Sequence, residues 1–583
     1  MLPYCVLLRL RWMPLLPLRL LFAWRFLALK GPIPRPMAVL CDCSYIASSC
    51  LLARFVNYLG APTEMIGLKR FVCVSKEALF VDMQAWLIDV TSAISDFLYT
   101  YILVILLVVC AVYFTARTGF VQLRYLKDMF TQLTEKKHVD GEKSISSFQA
   151  MMVSTASRVG TGNIAGIATA VALGGPGAIF WMWLMALLGA ASAFVESTLA
   201  QIWKVRGKEG EFRGGPAYYI EQALGQRWLG IVFAVLLIIC YAYGFNGLQA
   251  YNMASALEYY IPDYATNGTA VVLGVILIVL TAAVIFGGSK RISVISSVLV
   301  PVMAVAYLVL GFGITITNLN LLPQAFSYIF ESAFDFSSIF GGFAGSVVVL
   351  GIKRGLFSNE AGMGSAPNAA ATASVSHPCK QGLVQTLSVY LDTMLVCTCS
   401  AFIVLIFYVK SGGTFGDLNG MQLVQMAINS SVGEIGIHIV TFAIFCFAYS
   451  SLIGNYFYAE GNIRFITKSD TVLTVFRVTC LIAIMVGCLN NFTLAWNFAD
   501  ITMAFMAMVN LAAILLLGKW AIRALDDYTA QRKAGKDPVF VSDRIEGLPP
   551  TECWHVSADA LRGGVVSADQ EHESLEHTPA KGA

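Results

Sequence analysis

From residue 83 onward the chain alternates long apolar runs with short polar stretches. The runs cover 97–116, 148–171, 177–203, 228–259, 268–287, 292–315, 338–373, 382–408, 434–458, 471–489 and 493–518. A helix needs about 20 apolar residues to cross the hydrocarbon core of a bilayer, and runs of this length without period-2 alternation read as helices. Eleven membrane-spanning helices are therefore expected. The connecting stretches fix a direction. Arg117, Arg124, Lys127, Lys136 and Lys137 follow the first run, and Lys204, Arg206, Lys208 and Arg213 follow the third. Lys290 and Arg291 follow the fifth, Lys380 the seventh, Arg464 and Lys468 the ninth, and Lys519, Arg523, Arg532 and Lys533 the eleventh. The alternate loops hold no Lys or Arg except Lys410. Basic loops stay on the cytoplasmic side, so the C-terminus is expected inside and the N-terminus outside if the chain starts at Met83.

Two runs are poor spanning helices. Ser154–Gly177 contains Arg158-Val159-Gly160-Thr161-Gly162-Asn163, with two glycines, a charge and an amide where Leu would be expected. Glycine in a helix interior costs about 1 kcal/mol against alanine, and a charge in hydrocarbon costs at least a few more. Broken backbone is tolerated at membrane depth only where it lines a cavity. The other poor run, SVVVLGIKRGLFSNEAGMGSAPNAAA, has glycines at 351, 355, 362 and 364. With the first run set aside, ten remain, and the two interrupted ones take equivalent places in halves of five, about 148–315 and 338–518. Two five-span halves must run oppositely through the membrane. This is the inverted-repeat arrangement, with broken helices meeting near the midplane.

Composition agrees and narrows the alternatives. Of 583 residues, 57% are hydrophobic and 13% charged, and the mean hydropathy is +0.69, so a bilayer is the required solvent. The net charge of +3 comes with no basic stripe interleaved with aromatics, so nucleic acid is not an expected partner. The 14 cysteines form no paired Cys-x-x-Cys units and read as small apolar residues. Residues 1–82 are Leu-rich with scattered arginines and lack the single clean apolar run of a signal peptide. They read as an extension from an upstream start codon, with a basic amphipathic or transit-like leader as the alternative. The polar stretch 519–583 reads as a disordered cytoplasmic tail.

Several intramembrane polar residues could carry chemistry. Arg158 could meet a substrate carboxylate or pair with a buried acid such as Glu196. Asn163 offers an amide to a cation or a ligand, or holds helices together. The glycines at 160 and 162 free backbone carbonyls and amides together, which suits a zwitterion plus a cation. Glu196 could brace the break or carry a proton. Asn246, Gln249 and Asn252 recur every three residues on one helix face, as a pocket wall or a polar packing seam. Lys353, Arg354, Asn359 and Glu360 suggest a watery vestibule with gating salt bridges. Ser450-Ser451 offers two hydroxyls to a hard cation, or to their own helix carbonyls.

The runs GTGNIAGIATAVALGGPGAIFWMW, EFRGGPAYYIEQALGQRWLG, VIFGGSKRI, GIKRGLFSNEAGMGSAPNAAATA and HPCKQGLVQTLSVYLDT closely resemble the alanine or glycine:cation symporter family, within the amino acid/polyamine/organocation superfamily. The likeness extends over roughly Trp86 to Asp537. It implies a LeuT-type fold and uptake of alanine or glycine driven by a Na⁺ gradient, in the plasma membrane or, in a bacterium, the inner membrane. Residue by residue, it implies a sodium site from the carbonyls of Ala156, Val159 and Phe447 and the hydroxyls of Ser450 and Ser451. It implies substrate contacts at Gly160, Thr161 and Gly162, with Gln249 and a break at Gly351 opposite, Asn163 on the substrate side as an amide that touches a second ion, and Glu196 behind the break. Two positions depart from the family pattern: Arg158, where many relatives have a small neutral residue, and Asn455, where others carry Trp beside the pocket. A polar pocket wall there would admit serine or glutamine.

The expectation is thus an all-α symporter with no organic cofactor, working by alternating access. A proton-coupled transporter of the same fold, using Glu196 or Glu360, is the alternative. A membrane enzyme lacks a convergent catalytic set: five of the six histidines fall in expected loops or the tail, and only His438 lies near a span. Repeated filter loops of a channel are absent from the sequence.

Overall fold

A computed structural model describes residues 85–135, 145–207, 211–335 and 346–554. The extension 1–82, and the reading of it as a misplaced start, lie outside the described residues. Residues 85–90 open the first helix, and all packing described below lies within 91–554.

The chain is helical. In order it forms α1 (Ala85–Arg117), α2 (Ser147–Arg158), α3 (Ala165–Gly174), α4 (Ala178–Ile202), a two-stranded ribbon of β1 (Val205–Arg206) and β2 (Phe212–Arg213), and α5 (Pro216–Leu224). There follow α6 (Arg227–Ser255), α7 (Thr269–Ile285), α8 (Gly288–Thr317), α9 (Leu322–Phe334), α10 (Val347–Asn359) and α11 (Ala366–Ala370). The last are α12 (Pro378–Lys410), α13 (Gly420–Val432), α14 (Glu434–Ile466), α15 (Asp470–Cys488) and α16 (Phe492–Lys533). Among the described residues, eight helices are long and apolar enough to cross a membrane. The Gly-rich runs divide into α2–α3 and α10–α11.

Polarity is inside out relative to a water-soluble protein. Val298, Val302, Val305 and Val309 form a stripe along α8, each more than 60% exposed, while Ser154, Arg158, Asn163, Glu196 and Asn455 are buried. A continuous exposed apolar helix face is the surface a lipid chain would cover. The helices meet through small residues, which allow close backbone approach. Gly454 of α14 crosses α2 so tightly that a Cβ there would lie 2.6 Å from the Ser157 backbone nitrogen.

The polar C-terminal stretch departs from expectation. Rather than being disordered from 519, α16 continues to Lys533 and the chain to residue 554 packs onto neighbouring elements. Arg532 forks onto Asp128 at 2.7 and 3.1 Å, Lys380 bonds Asp537 at 2.9 Å, and the Trp554 indole donates to the Gln201 carbonyl at 2.8 Å. Phe540, Ile545 and Trp554 are buried. Three apolar anchors within a polar segment suffice to order it, and overall composition does not register them. Residues 555–583 lie outside the described residues.

The crossing at Gly454 generates a test. Gly454→Ala should lower the thermal midpoint of the purified protein by several degrees, because overpacking against backbone costs about 1–3 kcal/mol. Gly461→Ala on the same helix, where an added Cβ meets nothing within 4 Å, should leave the midpoint unchanged or slightly higher. Equal midpoints for the two variants would contradict the close crossing.

Candidate functional site

The site is built where helical hydrogen bonding fails. In an uninterrupted helix the N–H of Gly160 would bond the Ala156 carbonyl, and that of Thr161 the Ser157 carbonyl. Instead Gly160 N–H donates to Asn163 Oδ1 at 3.1 Å and Thr161 N–H to Gln249 Oε1 at 3.0 Å. Two carbonyls are thereby released at the end of α2, and a single 3₁₀ turn, Thr161–Asn163, leads into α3. The second break spans residues 360–365, with positive φ at Glu360 (54°), Gly362 (82°) and Gly364 (86°). Left-handed backbone favours glycine at the last two positions.

Gly351 does not break its helix, contrary to the sequence expectation. α10 runs unbroken through it, and its missing Cβ makes room for the Ala178 carbonyl, which would stand 2.4 Å away. It is a packing glycine against α4.

The two breaks are tied together by buried charge. Arg158 Nε faces Glu360 Oε2 at 3.7 Å, and its Nη1 donates to Ser388 Oγ at 2.7 Å. Arg158 therefore pairs with Glu360, not with Glu196. Glu360 also accepts from Ser365 Oγ at 2.7 Å, and Ser157 Oγ lies 3.4 Å from its other oxygen. Glu196 braces a break, but the second rather than the first: it accepts the N–H groups of Gly362 at 3.2 Å and Gly364 at 3.0 Å and the Asn510 amide at 2.8 Å.

Around the first break, the amide face of α6 closes in. Asn252 Nδ2 bonds Thr161 Oγ1 at 2.9 Å, and Asn246 Oδ1 accepts from Asn455 Nδ2 at 2.9 Å. Asn455 Oδ1 in turn takes the Ser157 hydroxyl at 2.6 Å. Gly160 sits in a notch: an added Cβ would fall 2.4 Å from Ser451 Oγ and 2.8 Å from Gln249 Nε2. At Gly162 a Cβ would strike the Phe357 ring at 2.2 Å. Phe357 itself packs 5.4 Å from Trp496 and 4.7 Å from Phe245, ring centre to ring centre.

The oxygens expected to hold a cation come close to one another. Ser450 Oγ lies 2.8 Å from the Phe447 carbonyl and 3.5 Å from the Ala156 carbonyl, and Ser451 Oγ lies 3.1 Å from Phe447 O. Both hydroxyls donate back to their own helix, which was the alternative reading of this pair. Val159 closes α2 in a non-helical conformation (φ −77°, ψ 87°). Uncharged oxygens such as these suit a hard monovalent cation.

The charged cluster 353–360 divides in two. While Glu360 turns to Arg158, Lys353 and Arg354 turn to Asp500 on α16, at 2.7 and 3.1 Å. Lys353 Nζ also bonds Ser95 and lies 4.6 Å from the centre of the Tyr99 ring, while the Arg354 guanidinium lies 4.1 Å from that of Trp496. These groups are buried, so the expected watery vestibule is a sealed pair of cations on one acid. Asn359 is occupied by the Ala361 N–H.

Sequence reasoning missed Asp392, Asp500 and Asn510. Asp392 lies on the π-helical segment Tyr390–Cys397 within α12 and accepts from Asn163 Nδ2 at 2.5 Å and from the Ser358 hydroxyl. Asn163 thus has both ends of its amide committed. A lone acid inside an apolar run was the available signal for both aspartates, and π-helical turns gather at functional sites.

The family model described as the sodium:alanine symporter family matches residues 83–542. The amino-acid carrier protein AlsT of Bacillus subtilis (strain 168) is 47% identical over 460 residues, 79% of this chain and 96% of that protein. The probable sodium/glutamine symporter GlnT of the same organism is 46% identical, covering 82% and 98%. The sodium/alanine symporter AgcS of Methanococcus maripaludis is 35% identical, covering 76% and 98%. The crystal structure of MhsT in complex with L-phenylalanine superposes with a TM-score of 0.50 at 14% identity, covering 66% of this chain and 96% of that one, a likeness of fold alone. Apolar helices of spanning length and full-length likeness to amino-acid carriers lead to one conclusion: the chain belongs to the sodium:alanine symporter family, multi-pass membrane transporters of amino acids with a cation, and is not an enzyme.

Proposed function

We propose that this transporter imports a small neutral amino acid, alanine and by extension glycine, together with Na⁺ across the plasma membrane, which in a bacterium is the inner membrane. The observation that carries the reading is the notch at Gly160, which sets freed backbone polar groups beside the Ser450–Ser451 hydroxyls. The substrate carboxylate takes the Thr161 N–H in place of Gln249 Oε1, and the ammonium takes carbonyls released at the break. Na⁺ is held by the carbonyls of Ala156, Val159 and Phe447 and the hydroxyls of Ser450 and Ser451. Gly160, Thr161, Gly162 and Asn163 shape the substrate side, with Gln249 and Asn455 opposite.

The reading extends to architecture. Eleven spans, with α2–α3 and α10–α11 each counted as one broken span and the halves related as an inverted five-plus-five repeat, fit the helix order and the loop charges. The basic loops support a cytoplasmic C-terminus. Alternating access then moves the helices around the two breaks, and the Lys353–Arg354–Asp500 cluster is a seal at one end of the path. Protons as the driving ion are less well served by Glu196 and Glu360, because the first is engaged by three N–H donors and the second by Arg158. Similarity to a probable sodium/glutamine symporter, with polar Asn455 at the pocket, keeps glutamine as a competing substrate to be tested alongside alanine.

Ser451→Ala should raise the Na⁺ concentration for half-maximal alanine uptake about tenfold, the equivalent of about 1.4 kcal/mol, with the alanine KM at saturating Na⁺ little changed. Unaltered Na⁺ dependence would sink this ion seat. Asp500→Asn leaves two buried cations unpaired, a loss on the order of 3–5 kcal/mol for a buried ion pair, and should abolish uptake and lower the thermal midpoint. Arg464→Gln, which removes a pair with the exposed Asp470, should leave the midpoint near wild type. A stable, active Asp500→Asn protein would rule out the seal.

A further inference from the structure

Beyond α16 the chain closes over the place where the two broken spans meet. α2 begins just after Ile145, and the second broken span leaves α11 through residues 371–377. These two ends touch directly: Ile145 pairs with Ala373 in a parallel bridge, and the Ser374 N–H donates to the Ile145 carbonyl at 2.9 Å. The end of α4 grips the same loop. Gln201 Nε2 donates to the Ala373 carbonyl at 3.0 Å, and Lys204 Nζ donates to that oxygen at 3.1 Å. The ends of both broken spans are thus coupled to each other and to α4.

A strap, residues 534–554, fastens that unit to α16. On the α16 side, Gln531 and Val539 exchange two hydrogen bonds at 3.0 Å, and Arg523 Nη1 donates to the Glu546 carbonyl at 2.7 Å. On the other side, the Phe540 N–H donates to the Ser376 carbonyl and Ser376 Oγ to the Pro538 carbonyl, both at 2.9 Å. At the far end, the Trp554 indole donates to the Gln201 carbonyl at 2.8 Å, and its ring centre lies 4.7 Å from Lys204 Nζ. Trp554 also packs edge-on to Phe540 at 5.4 Å between ring centres, and Glu552 accepts the Arg206 N–H at 2.7 Å just past α4. Chain entropy lost on ordering a segment of about twenty residues opposes all of these contacts. The strap is held by the small remainder, and it can lift without unfolding the helices beneath it.

We infer that residues 534–554 are a releasable latch on the face where both broken spans end, which is the cytoplasmic face on the reading above. With the strap seated, neither α2 nor α11 can swing away from α16 unless the strap gives up its bonds to Ser376 or to the end of α4. With the strap lifted, that restraint is gone, and the conformation open toward this face gains population. The strap thus sets how often the path opens on its own side. Its effect on uptake rests on the symport reading, whereas its effect on opening does not.

Ser147 reports the swing. It lies in the first turn of α2, it is 1% exposed, and its hydroxyl has no hydrogen-bond partner among the described residues, so Ser147→Cys removes no bond. In purified full-length protein, maleimide labelling of Ser147→Cys, less the signal of the same protein with Ser147, should run at least about fivefold faster when Trp554→Ala or Phe540→Ala is added. A second arm holds the strap down instead. Arg206 and Glu552 are both exposed, and a short reducible bis-thiosulfonate can bridge Arg206→Cys to Glu552→Cys. Relative to wild type given the same reagent, bridging should lower Na⁺-driven alanine uptake at least about fivefold, and reduction should restore it. Labelling that is no faster in either folded alanine variant would overturn the latch, as would uptake indifferent to the bridge; the bridge decides alone if both alanine variants misfold. If wild type shows no Na⁺-driven alanine uptake while labelling follows the strap, the symport reading fails and the latch stands.

Discussion

The constraint on which the site depends is the buried pairing of Arg158 with Glu360. Each residue borders a break in its helix, and each break leaves backbone groups without helical partners. Neither could persist alone in an apolar interior, because unsatisfied backbone there costs several kcal/mol per group. Brought together, the breaks satisfy each other: Arg158 neutralises Glu360, Ser157 reaches Glu360 and Asn455, and Asp392 joins Asn163 to Ser358. A buried ion pair is weak evidence of stability in itself, since desolvation offsets most of the attraction. Its value here is positional, because it fixes which residues face one another across the junction.

In the proposed reading, that positioning lets a neutral zwitterion and a monovalent cation share one small volume. Gly160 is the partition. Its lack of a side chain lets Ser451 and Gln249 approach from two sides, one on the proposed ion seat and the other on the proposed substrate seat. As proposed, both seats would be made chiefly of backbone groups, hydroxyls and amides, which carry no fixed charge. The fixed charges are kept one layer away, in Arg158–Glu360 on one side and Lys353–Arg354–Asp500 on the other.

Much of this was legible in the residues. Apolar runs marked where the helices lie, and the two Gly-rich runs marked where they are interrupted. The position of the second interruption was not legible, because glycine serves two purposes: Gly351 and Gly454 admit neighbouring helices, whereas Gly362 and Gly364 adopt left-handed backbone. Partners across the bundle were equally hidden. Glu196 was one candidate partner for Arg158, and spacing along one chain cannot tell two acids apart when each faces a different helix. Asp392 and Asp500 were overlooked as single acids in apolar surroundings, although that isolation was itself the clue. The stretch after Lys519 was read by its average polarity, when Phe540, Ile545 and Trp554 decide its packing.

The central claim is that the freed carbonyls and hydroxyls at the first break harness Na⁺ to move an amino acid. Its most direct test is alanine accumulation in proteoliposomes of the purified full-length protein, with an inward Na⁺ gradient at equal pH on both sides compared with an inward proton gradient without Na⁺. The account requires accumulation above equilibrium with the Na⁺ gradient. No accumulation under that gradient, with accumulation under the proton gradient alone, would contradict it.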